Sequence, residues 1–387
     1  MNKVLQRSIY REDLLHIANE VREFSLQEVQ PHINLKNESE KKKIFMENIV
    51  AAMAKCGYLG ALIPEDYGGM GYTLTEFLPV IEGIAAFSGS LALTLAGHNL
   101  AVSHILQAGS EEQKQKYLPR LASGELGAWC LTEPGAGSNA FGGMKSMLEQ
   151  TEAELWKLDA LKTFITNGCH AGIYVVTARG KNNSNQLGIS ACIVEKEKHC
   201  QNIKARPLGK KMGMNESDTA EIIFDGLNVE IKDLLGYPGQ AQESIKAVLR
   251  RGRLAIAGFA LGLARDSLER AIAYTPIRMV SGGSLFNKQL TQAKLAKMDC
   301  QLWIAWQATL AAARLADENL PFENEASKAK LTASEIAIDV CHEAIQLVGG
   351  TGYMEESKVE GNFRDARLLT IGEGTSEILL LSIAKKL

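Results

Sequence analysis

Glu373 is the residue of this sequence with the clearest capacity for acid–base chemistry. It follows the apolar run 368–371 and stands between Gly372 and Gly374. Flanking glycines let another molecule approach the carboxylate closely, and apolar surroundings raise the pKa of a carboxyl group toward neutrality, as a general base requires. The alternative is a structural role, in which Glu373 is an acidic residue at the start of a closing helix that begins near Thr375.

A second candidate is the glycine-dense segment LTEPGAGSNA, residues 131–140. Gly135 and Gly137 match the loose dinucleotide fingerprint GxGxxA, which requires a strand before it and a helix after it. The next residues, Phe-Gly-Gly, are poor helix formers, which argues against a nicotinamide site of the Rossmann type. Two interpretations remain: an anion-binding turn, in which backbone N–H groups act with the Thr132 and Ser138 hydroxyls, or an ordinary tight turn.

The segment KTFITNG, residues 162–168, places an aromatic ring near a hydroxyl. Phe164 precedes Thr166 by two residues, so strand geometry predicts that both side chains point to the same face. Such a pair could pack beside a planar ring system and donate a hydrogen bond to its edge. A core phenylalanine with a surface threonine explains the pattern equally well.

The elements that must position these residues come in three blocks. Helical periodicity dominates the start of the chain, short β-type runs follow, and long helical patterns return after Leu235. The order predicts an α+β fold in which a small antiparallel β domain lies between two helical domains. The predicted domains are an N-terminal helical domain, a central β domain and a C-terminal helical domain, at residues 1–118, 119–235 and 236–387.

Individual elements follow from the same patterns. The predicted strands are 128–132, 163–166, 173–177, 189–194 and 220–224, and the predicted long helices are 244–274, 292–317 and 324–348. Leu14, Ile17, Ala18, Val21 and Phe24 form an amphipathic helical stripe near the N-terminus. Gly349 and Gly350 would end the last of the long helices.

Bulk composition excludes several classes of function. The net charge of −3 over 387 residues offers no basic surface for nucleic acid. The seven cysteines form no CxxC pair and are odd in number, which argues against a zinc site and a disulfide framework and for a reducing cytosol. The first residues have charges throughout and no apolar core, so we expect neither a signal nor a transit peptide. We therefore expect a cytoplasmic protein without a metal site.

One segment resembles a membrane span. Residues 83–110 contain no Asp, Glu, Lys or Arg. Ser, Thr, His, Asn and Gln interrupt the run too often for a bilayer-crossing helix, so we expect a helix buried on most sides within a bundle and no membrane insertion.

Taken together, the motifs resemble the acyl-CoA dehydrogenase family, which is FAD-dependent. The resemblance extends over essentially the whole chain and rests on GYLGALIPEDYGGMGYT, GSEEQKQKYLPRLASGE, LTEPGAGS, FITNG, GLARDSLERA and the closing RDAR and EGTSEI. Each segment alone is weak evidence for the family, whereas their combination in this order is a highly specific signal. The family fold has a helical domain, a central β domain and a C-terminal four-helix bundle, with one FAD per subunit that a neighbouring subunit helps to hold.

The resemblance implies the cofactor contacts. Trp129, Leu131 and Thr132 would line the flavin edge, and Ser138 would reach the pyrophosphate and border the substrate. The remaining implied FAD contacts are Phe164, Ile165 and Thr166 at the ring, Arg278, Gln289, Gln346, Gly349 and Gly350 toward the FAD of a partner subunit, and Thr375 and Glu377 after the base.

The resemblance also implies the reaction. Glu373 takes the position of the base that removes the substrate α-proton, while the β-hydride passes to flavin N5. Some members carry the base instead on the helix of Arg253, and here that position is Gly252. The thioester carbonyl would be polarised by the Glu373 backbone N–H and a flavin ribityl hydroxyl, with Arg253 and Gly374 shaping the substrate site. An electron-transfer flavoprotein would accept the electrons, and the subunits would form a homodimer or a dimer of dimers, hence a homotetramer.

Departures from the family pattern concern the carrier of the acyl group. Arg250 stands where the family commonly has an acid in the substrate region, Asn139 replaces an acid after GAGS, and Ser281 replaces a common phenylalanine. The substrate is therefore an acyl-CoA or an acyl group on an acidic carrier protein. The first alternative function is a flavin oxidase or monooxygenase on the same scaffold. The second is a non-catalytic assembly protein of this fold.

Overall fold

The computed structural model describes residues 12–33, 45–181 and 187–387. Helices come first, then strands, then helices, which confirms the predicted α+β order. The first block contains α1 (Glu12–Phe24), α2 (Gln30–Ile33), α3 (Val50–Lys55), α4 (Leu74–Ala85), α5 (Gly89–Ala108) and α6 (Glu111–Ala122).

Local sequence explains where these helices begin. The predicted stripe of α1 is buried along its whole length. Thr73 and Ser110 start α4 and α6, and each hydroxyl accepts the N–H of the third helical residue while that residue's side chain accepts the N–H of the cap. These two capping boxes satisfy backbone donors that a helix start otherwise leaves unpaired.

Helix α5 contains most of the uncharged segment. It is buried along most of its length, including the polar side chains of Thr94, His98 and Asn99. Within the described part of the chain, no helix is both long and apolar enough to cross a bilayer. Burial within the fold thus accounts for the apolar composition of 83–110, as predicted.

The central block forms a seven-stranded sheet. Its strands are β1 (Gly127–Cys130), β2 (Met147–Glu152), β3 (Leu155–Thr166), β4 (Ile173–Lys181), β5 (Leu187–Glu195), β6 (Ile203–Pro207) and β7 (Thr219–Glu230). Neighbouring strands are hydrogen-bonded in the order β1-β4-β2-β3-β7-β6. Strand β5 lies outside this order and pairs with β4. A single turn, α7 (Ala140–Gly143), follows the glycine-dense segment.

The sheet differs from the predicted one in strand pairing, in strand number and in the length of β3 and β7, which extend beyond the predicted 163–166 and 220–224. Pairing is mostly antiparallel, but β1 runs parallel to β4, with Gly127 opposite Ile173. Strands β2 and β6 were missed because their sequences, MLEQTE and IKARP, are short, largely exposed and without a clear alternation of apolar and polar residues. The predicted division at residues 118 and 235 stays a proposal, and α6 ends at Ala122, beyond the first of these positions.

The last block is helical. It contains α8 (Gln242–Tyr274), the hairpin of β8 (Met279–Val280) and β9 (Gly283–Ser284), α9 (Gln289–Asp317), α10 (Glu323–Val348), α11 (Val359–Leu369) and α12 (Ser376–Ala384). The three long helices end at Tyr274, Asp317 and Val348, as predicted. Helix α8 packs against α4 and α5 of the first block and against α10, so its residues reach both helical blocks.

A charge cluster joins the sheet to the first helical block. Glu195, at the end of β5, contacts Lys116 at 2.7 Å and Arg120 at 2.6 Å, both on α6, and Lys198 at 2.5 Å. Although burial opposes ionisation, hydrogen bonds from these cations hold the pKa of Glu195 well below its usual range. This carboxylate therefore stays charged and fixes α6 against the sheet.

We expect Glu195→Gln to lower the melting temperature because it removes charge from a carboxylate that receives three charge-assisted contacts. The free energy of unfolding should fall by about 1–3 kcal/mol. The effect is limited because the partner cations are partly exposed to solvent. Because pairing lowers the pKa of Glu195, the stabilisation is present at neutral pH and is lost as the pH falls below the ordinary range of a glutamate. Thermal melts at several pH values would measure this.

The matched control is Glu197→Gln, the same change at an exposed position of the turn that follows β5. It should leave the melting temperature almost unchanged. Equal effects of the two variants at neutral pH would contradict the assigned role of Glu195.

Candidate active site

Glu373 lies in the turn between α11 and α12, in an unusual backbone conformation. Its φ is +55°, and that of Gly374 is +100°. Helix α12 is capped by Thr375, whose hydroxyl accepts the N–H of Ile378. Glu373 therefore precedes the cap, and its carboxylate is not needed by the helix start, which argues against the alternative structural role.

The carboxylate of Glu373 points into the protein, toward α8. A Cβ added at Gly252 would stand 2.8 Å from Glu373 Oε2 and 2.8 Å from Leu100 Cδ2. The absence of a side chain at 252 thus leaves the room that the carboxylate occupies. Oε2 is buried and has no hydrogen-bond partner among the described residues. An unpartnered buried carboxylate oxygen is available to accept a proton from a bound molecule.

Two cations flank this carboxylate. Burial raises the pKa of Glu373 to about 7, against the opposing effect of Arg253 and then Lys330. Arg253 Nη1 donates to Ser327 Oγ at 3.0 Å, whereas Arg253 Nε is buried without a partner in the described residues. Glu373 is thus poised between its two protonation states near neutral pH, as general-base catalysis favours.

A buried ion pair supports the segment 131–140. Lys162 Nζ on β3 donates to Glu133 Oε1 at 2.8 Å and to the Leu131 carbonyl at 3.2 Å. Both side chains are almost fully buried. The other Glu133 contacts come from the backbone N–H groups of Lys145 and Ser146. These bonds fix both ends of the turn and leave its middle, including Ser138, exposed.

The structure brings Thr132 close to the KTFITNG segment. The Thr163 N–H donates to the Thr132 carbonyl at 2.9 Å. Phe164 has a φ of +56°, lies where the β3–β7 register shifts and is 70% exposed. This bulge locally disturbs the alternation of side chains, and the prediction that Phe164 and Thr166 share one face stays a prediction. Ile165 is buried.

Helix α5 connects the two halves of the site. A Cβ added at Gly97 would lie 2.6 Å from Thr166 Cγ2, so the helix backbone and this threonine are in direct contact. Leu100 lies on the same side of α5, since residues three apart are neighbours on a helix, and it meets Gly252. One face of α5 thereby touches both the Thr166 region and the Glu373 region.

The side chain of Trp129 is used inside the protein. Its indole N–H donates to His104 Nδ1 at 3.1 Å, and His104 Nε2 is 3.0 Å from Ser244 Oγ. An indole N–H only donates, so Nδ1 accepts and the proton of this neutral ring lies on Nε2. Burial lowers the pKa of His104 to about 4. The backbone of Trp129 is the part left to line a ligand.

The other predicted contacts lie on the surface of the C-terminal block. The exposed residues are Arg278 after α8, Gln289 at the start of α9, and Gln346, Gly349 and Gly350 at the end of α10. Thr375 and Glu377 line a separate cavity of about 280 Å³ together with Glu335 and Arg367. Thr375 lies two residues after Glu373, whereas the five residues from Arg278 to Gly350 are exposed at the surface.

Sequence reasoning missed two buried lysines of the site. Lys330 interrupts a stripe of small apolar residues on α10, in which Ala326, Ala333 and Ala337 lie on the same helix face. Lys162 occupies a position that alternation assigns to the buried side of β3. A lone lysine in an apolar stripe was the available signal in both cases, because burying an ammonium group requires a partner.

The donors that the structure presents fit a flavin dinucleotide. A Cβ added at Gly135, Gly137, Gly349 or Gly350 would meet no atom within 4 Å, so the backbone is open to a ligand at these positions. Phe164, on β3, offers an exposed aromatic ring. Exposed amides suit a pyrophosphate, and an aromatic face suits a ring system.

Comparisons with known proteins agree with this arrangement. Three family models match: the acyl-CoA dehydrogenase N-terminal domain at residues 11–125, the middle domain at 128–227 and the C-terminal domain at 242–387. The probable acyl-CoA dehydrogenase YngJ of Bacillus subtilis is 38% identical over 370 residues, covering 95% of this chain and 96% of that protein.

Solved structures give the same result. Butyryl-CoA dehydrogenase from Megasphaera elsdenii has a TM-score of 0.89 and 30% identity, covering 97% of this chain and 98% of that one. A glutaryl-CoA dehydrogenase from Mycobacterium smegmatis in complex with FADH2 has a TM-score of 0.89 and 29% identity, covering 98% and 95%. These matches confirm the resemblance and the fold class predicted from the sequence. The chain belongs to the acyl-CoA dehydrogenase family and is an FAD-dependent enzyme that dehydrogenates acyl thioesters.

Proposed function

We propose that Glu373 is the base that removes the α-proton of the acyl thioester. The observation that carries this proposal is the buried, unpartnered Oε2 atom in the space beside Gly252. A carboxylate whose pKa is about 7 can accept a proton at neutral pH and release it afterwards. In family members that carry the base on the other helix, the base stands at the position of Gly252. This chain has no acid at that position.

The backbone of Glu373 is suited to polarise the thioester carbonyl. No backbone carbonyl among the described residues accepts its N–H. A fixed amide donor near the reacting atoms stabilises the negative charge that develops on the carbonyl oxygen as the α-proton leaves. Arg253 and Gly374 would shape the same pocket, because both adjoin Glu373.

We propose that the sheet holds the flavin ring and the 131–140 turn holds the pyrophosphate. The proposed contacts are Trp129, Leu131, Thr132, Ser138, Phe164, Ile165 and Thr166, with Thr375 and Glu377 on the other side. FAD, when bound, accepts the β-hydride. The chain's own task is to orient the ring against the acyl group, which the contacts of α5 with Thr166 and Gly252 support.

A second subunit would complete the cofactor site. Arg278 is exposed and adjoins Ile277 and Met279, which are 76% and 65% exposed, and Leu290 is 71% exposed beside Gln289. Apolar side chains of this size in one region favour a covered surface. We therefore propose a homodimer or a dimer of dimers in which Arg278, Gln289, Gln346, Gly349 and Gly350 contact the partner's FAD.

The carrier and the electron acceptor are further proposals. Arg250 Nε is buried without a partner among the described residues, which supports its contact with the substrate carrier. Turnover of one acyl group on coenzyme A and on a carrier protein would distinguish the two carriers. An electron-transfer flavoprotein is the proposed acceptor, and oxygen consumption without an added acceptor would favour an oxidase instead. The seven free cysteines support a reducing cytoplasm.

We expect Glu373→Gln to lower the rate of flavin reduction by at least ~10²–10⁴-fold, since an amide cannot accept the α-proton. The backbone N–H of residue 373 is unchanged, so substrate should still bind. Rapid mixing with an acyl-CoA should therefore perturb the oxidised flavin spectrum without bleaching it.

The matched control for this variant is Glu318→Gln, at an exposed site after α9. It should reduce flavin at the wild-type rate. A Glu373→Gln enzyme that bleached its flavin near the wild-type rate would place the base elsewhere and overturn the proposed mechanism.

The wild-type rate of flavin reduction should rise with pH. Burial raises the pKa of Glu373 to about 7, and only the ionised form accepts a proton, so the midpoint of the rise should lie near pH 7. Single-turnover measurements at saturating substrate would give this profile. A rate that did not change between pH 6 and pH 8, about one unit on either side of that midpoint, would contradict the assignment.

Arg278→Ala should weaken FAD retention without unfolding the chain. Arginine offers a fixed fork of donors for a pyrophosphate, and this one is exposed, so the fold does not depend on it. The FAD content after gel filtration, with circular dichroism as the folding check, measures the effect. Lys297→Ala, at an exposed site of α9, is the control, and a monomer that kept its FAD fully would refute the shared site.

A further inference from the structure

Lys330 is a fully buried lysine that contacts the turn of the base. It lies in the middle of α10, and its Nζ donates to the Gly374 carbonyl at 2.7 Å. Gly374 directly follows Glu373, and both residues have positive φ. The ammonium group therefore joins the helix to the turn at the residue next to the base.

The charges around this contact come from several elements. Glu373 faces Arg253 on α8 and Lys330 on α10. Lys330 in turn faces Glu373, Arg253, Glu335 and Glu377. Burial lowers the pKa of Lys330 to about 8, so its ammonium form predominates at pH 7. The lysine thus contributes positive charge beside Glu373 near neutral pH.

Arg253 does not make this charge redundant. Its Nη1 atom donates to Ser327, and it also faces Glu323 and Arg250. Lys330 differs because its hydrogen bond goes to the turn itself. A cation held there acts on the Glu373 carboxylate and on the backbone that presents it.

We propose that Lys330 is a positioning residue for the base: its ammonium group fixes the 373–374 turn and favours the charged form of the Glu373 carboxylate. The inference rests on the proposed role of Glu373 as the base. Lys330 touches neither substrate nor cofactor in this proposal and acts through Glu373.

The test is the pH profile of flavin reduction in the holoenzyme with an acyl-CoA. Removing a nearby cation favours the neutral carboxyl form, so Lys330→Met should move the midpoint upward by about 1 pH unit. A shift of that size from a midpoint near 7 lowers the rate at pH 7 roughly fivefold. Lys330→Gln, which keeps an N–H donor without the charge, should show the same shift and carries the test if Lys330→Met fails to fold.

Two further variants separate charge from packing. Lys330→Arg keeps the charge and should restore the wild-type midpoint. Lys328→Met removes the exposed lysine two residues earlier on the same helix and should leave the profile unchanged. Lower rates in Lys330→Met and Lys330→Gln with the wild-type midpoint would mean a purely structural role and would overturn the proposal.

A second readout does not depend on turnover. Infrared difference titration of the oxidised holoenzyme, with Glu373→Gln as the blank, follows the protonated carboxyl band of Glu373. That band should persist to higher pH in Lys330→Met than in the wild-type protein. If the band is unchanged in Lys330→Met and the Glu373→Gln enzyme is inactive, only the role of Lys330 is contradicted. If the Glu373→Gln enzyme is active, the assignment of Glu373 as the base is contradicted.

Discussion

The burial of the Glu373 carboxylate between two cations is the constraint on which the rest of the site depends. A carboxylate loses hydration when it leaves water, and only nearby positive charge compensates for that loss. Arg253 and Lys330 supply the charge from two different helices, and Gly252 supplies the space. The C-terminal helices must therefore pack in one register, because a shift of any of them would leave the charge unpaired.

The opposite wall of the site, which the segment 131–140 forms, is also stabilised by paired buried charge. There the buried Lys162–Glu133 pair binds the two ends of the glycine-dense turn, so the open middle of the turn needs no side chains of its own. Helix α5 holds the walls together through Gly97 and Leu100, and its two buried histidines, His98 and His104, bond to β1. Paired charge fixes each wall, and close helix contact fixes the distance between them.

Sequence reasoning predicted the fold class and the long helices because periodicity depends on local residue order. It singled out Glu373 because glycines and apolar residues adjoin it in the chain, and the family resemblance, with Gly252 at the alternative position, led to the proposed role as the base. It did not find Lys330, whose partner is 44 positions away. It also did not predict the bulge at Phe164, which depends on the pairing of β3 with β7. Contacts between distant segments are what the sequence alone does not show.

The left-handed backbone of Glu373 has a consequence for how this sequence can change over time. A non-glycine residue in that region costs about 1–2 kcal/mol relative to its preferred conformation, whereas glycine adopts it freely. Burying the unpartnered carboxylate adds to the cost. Folding alone would therefore favour glycine at 373, and drift without selection for catalysis should replace the acid while making the protein more robust. An acid at this position is therefore a compromise between stability and the activity proposed for it.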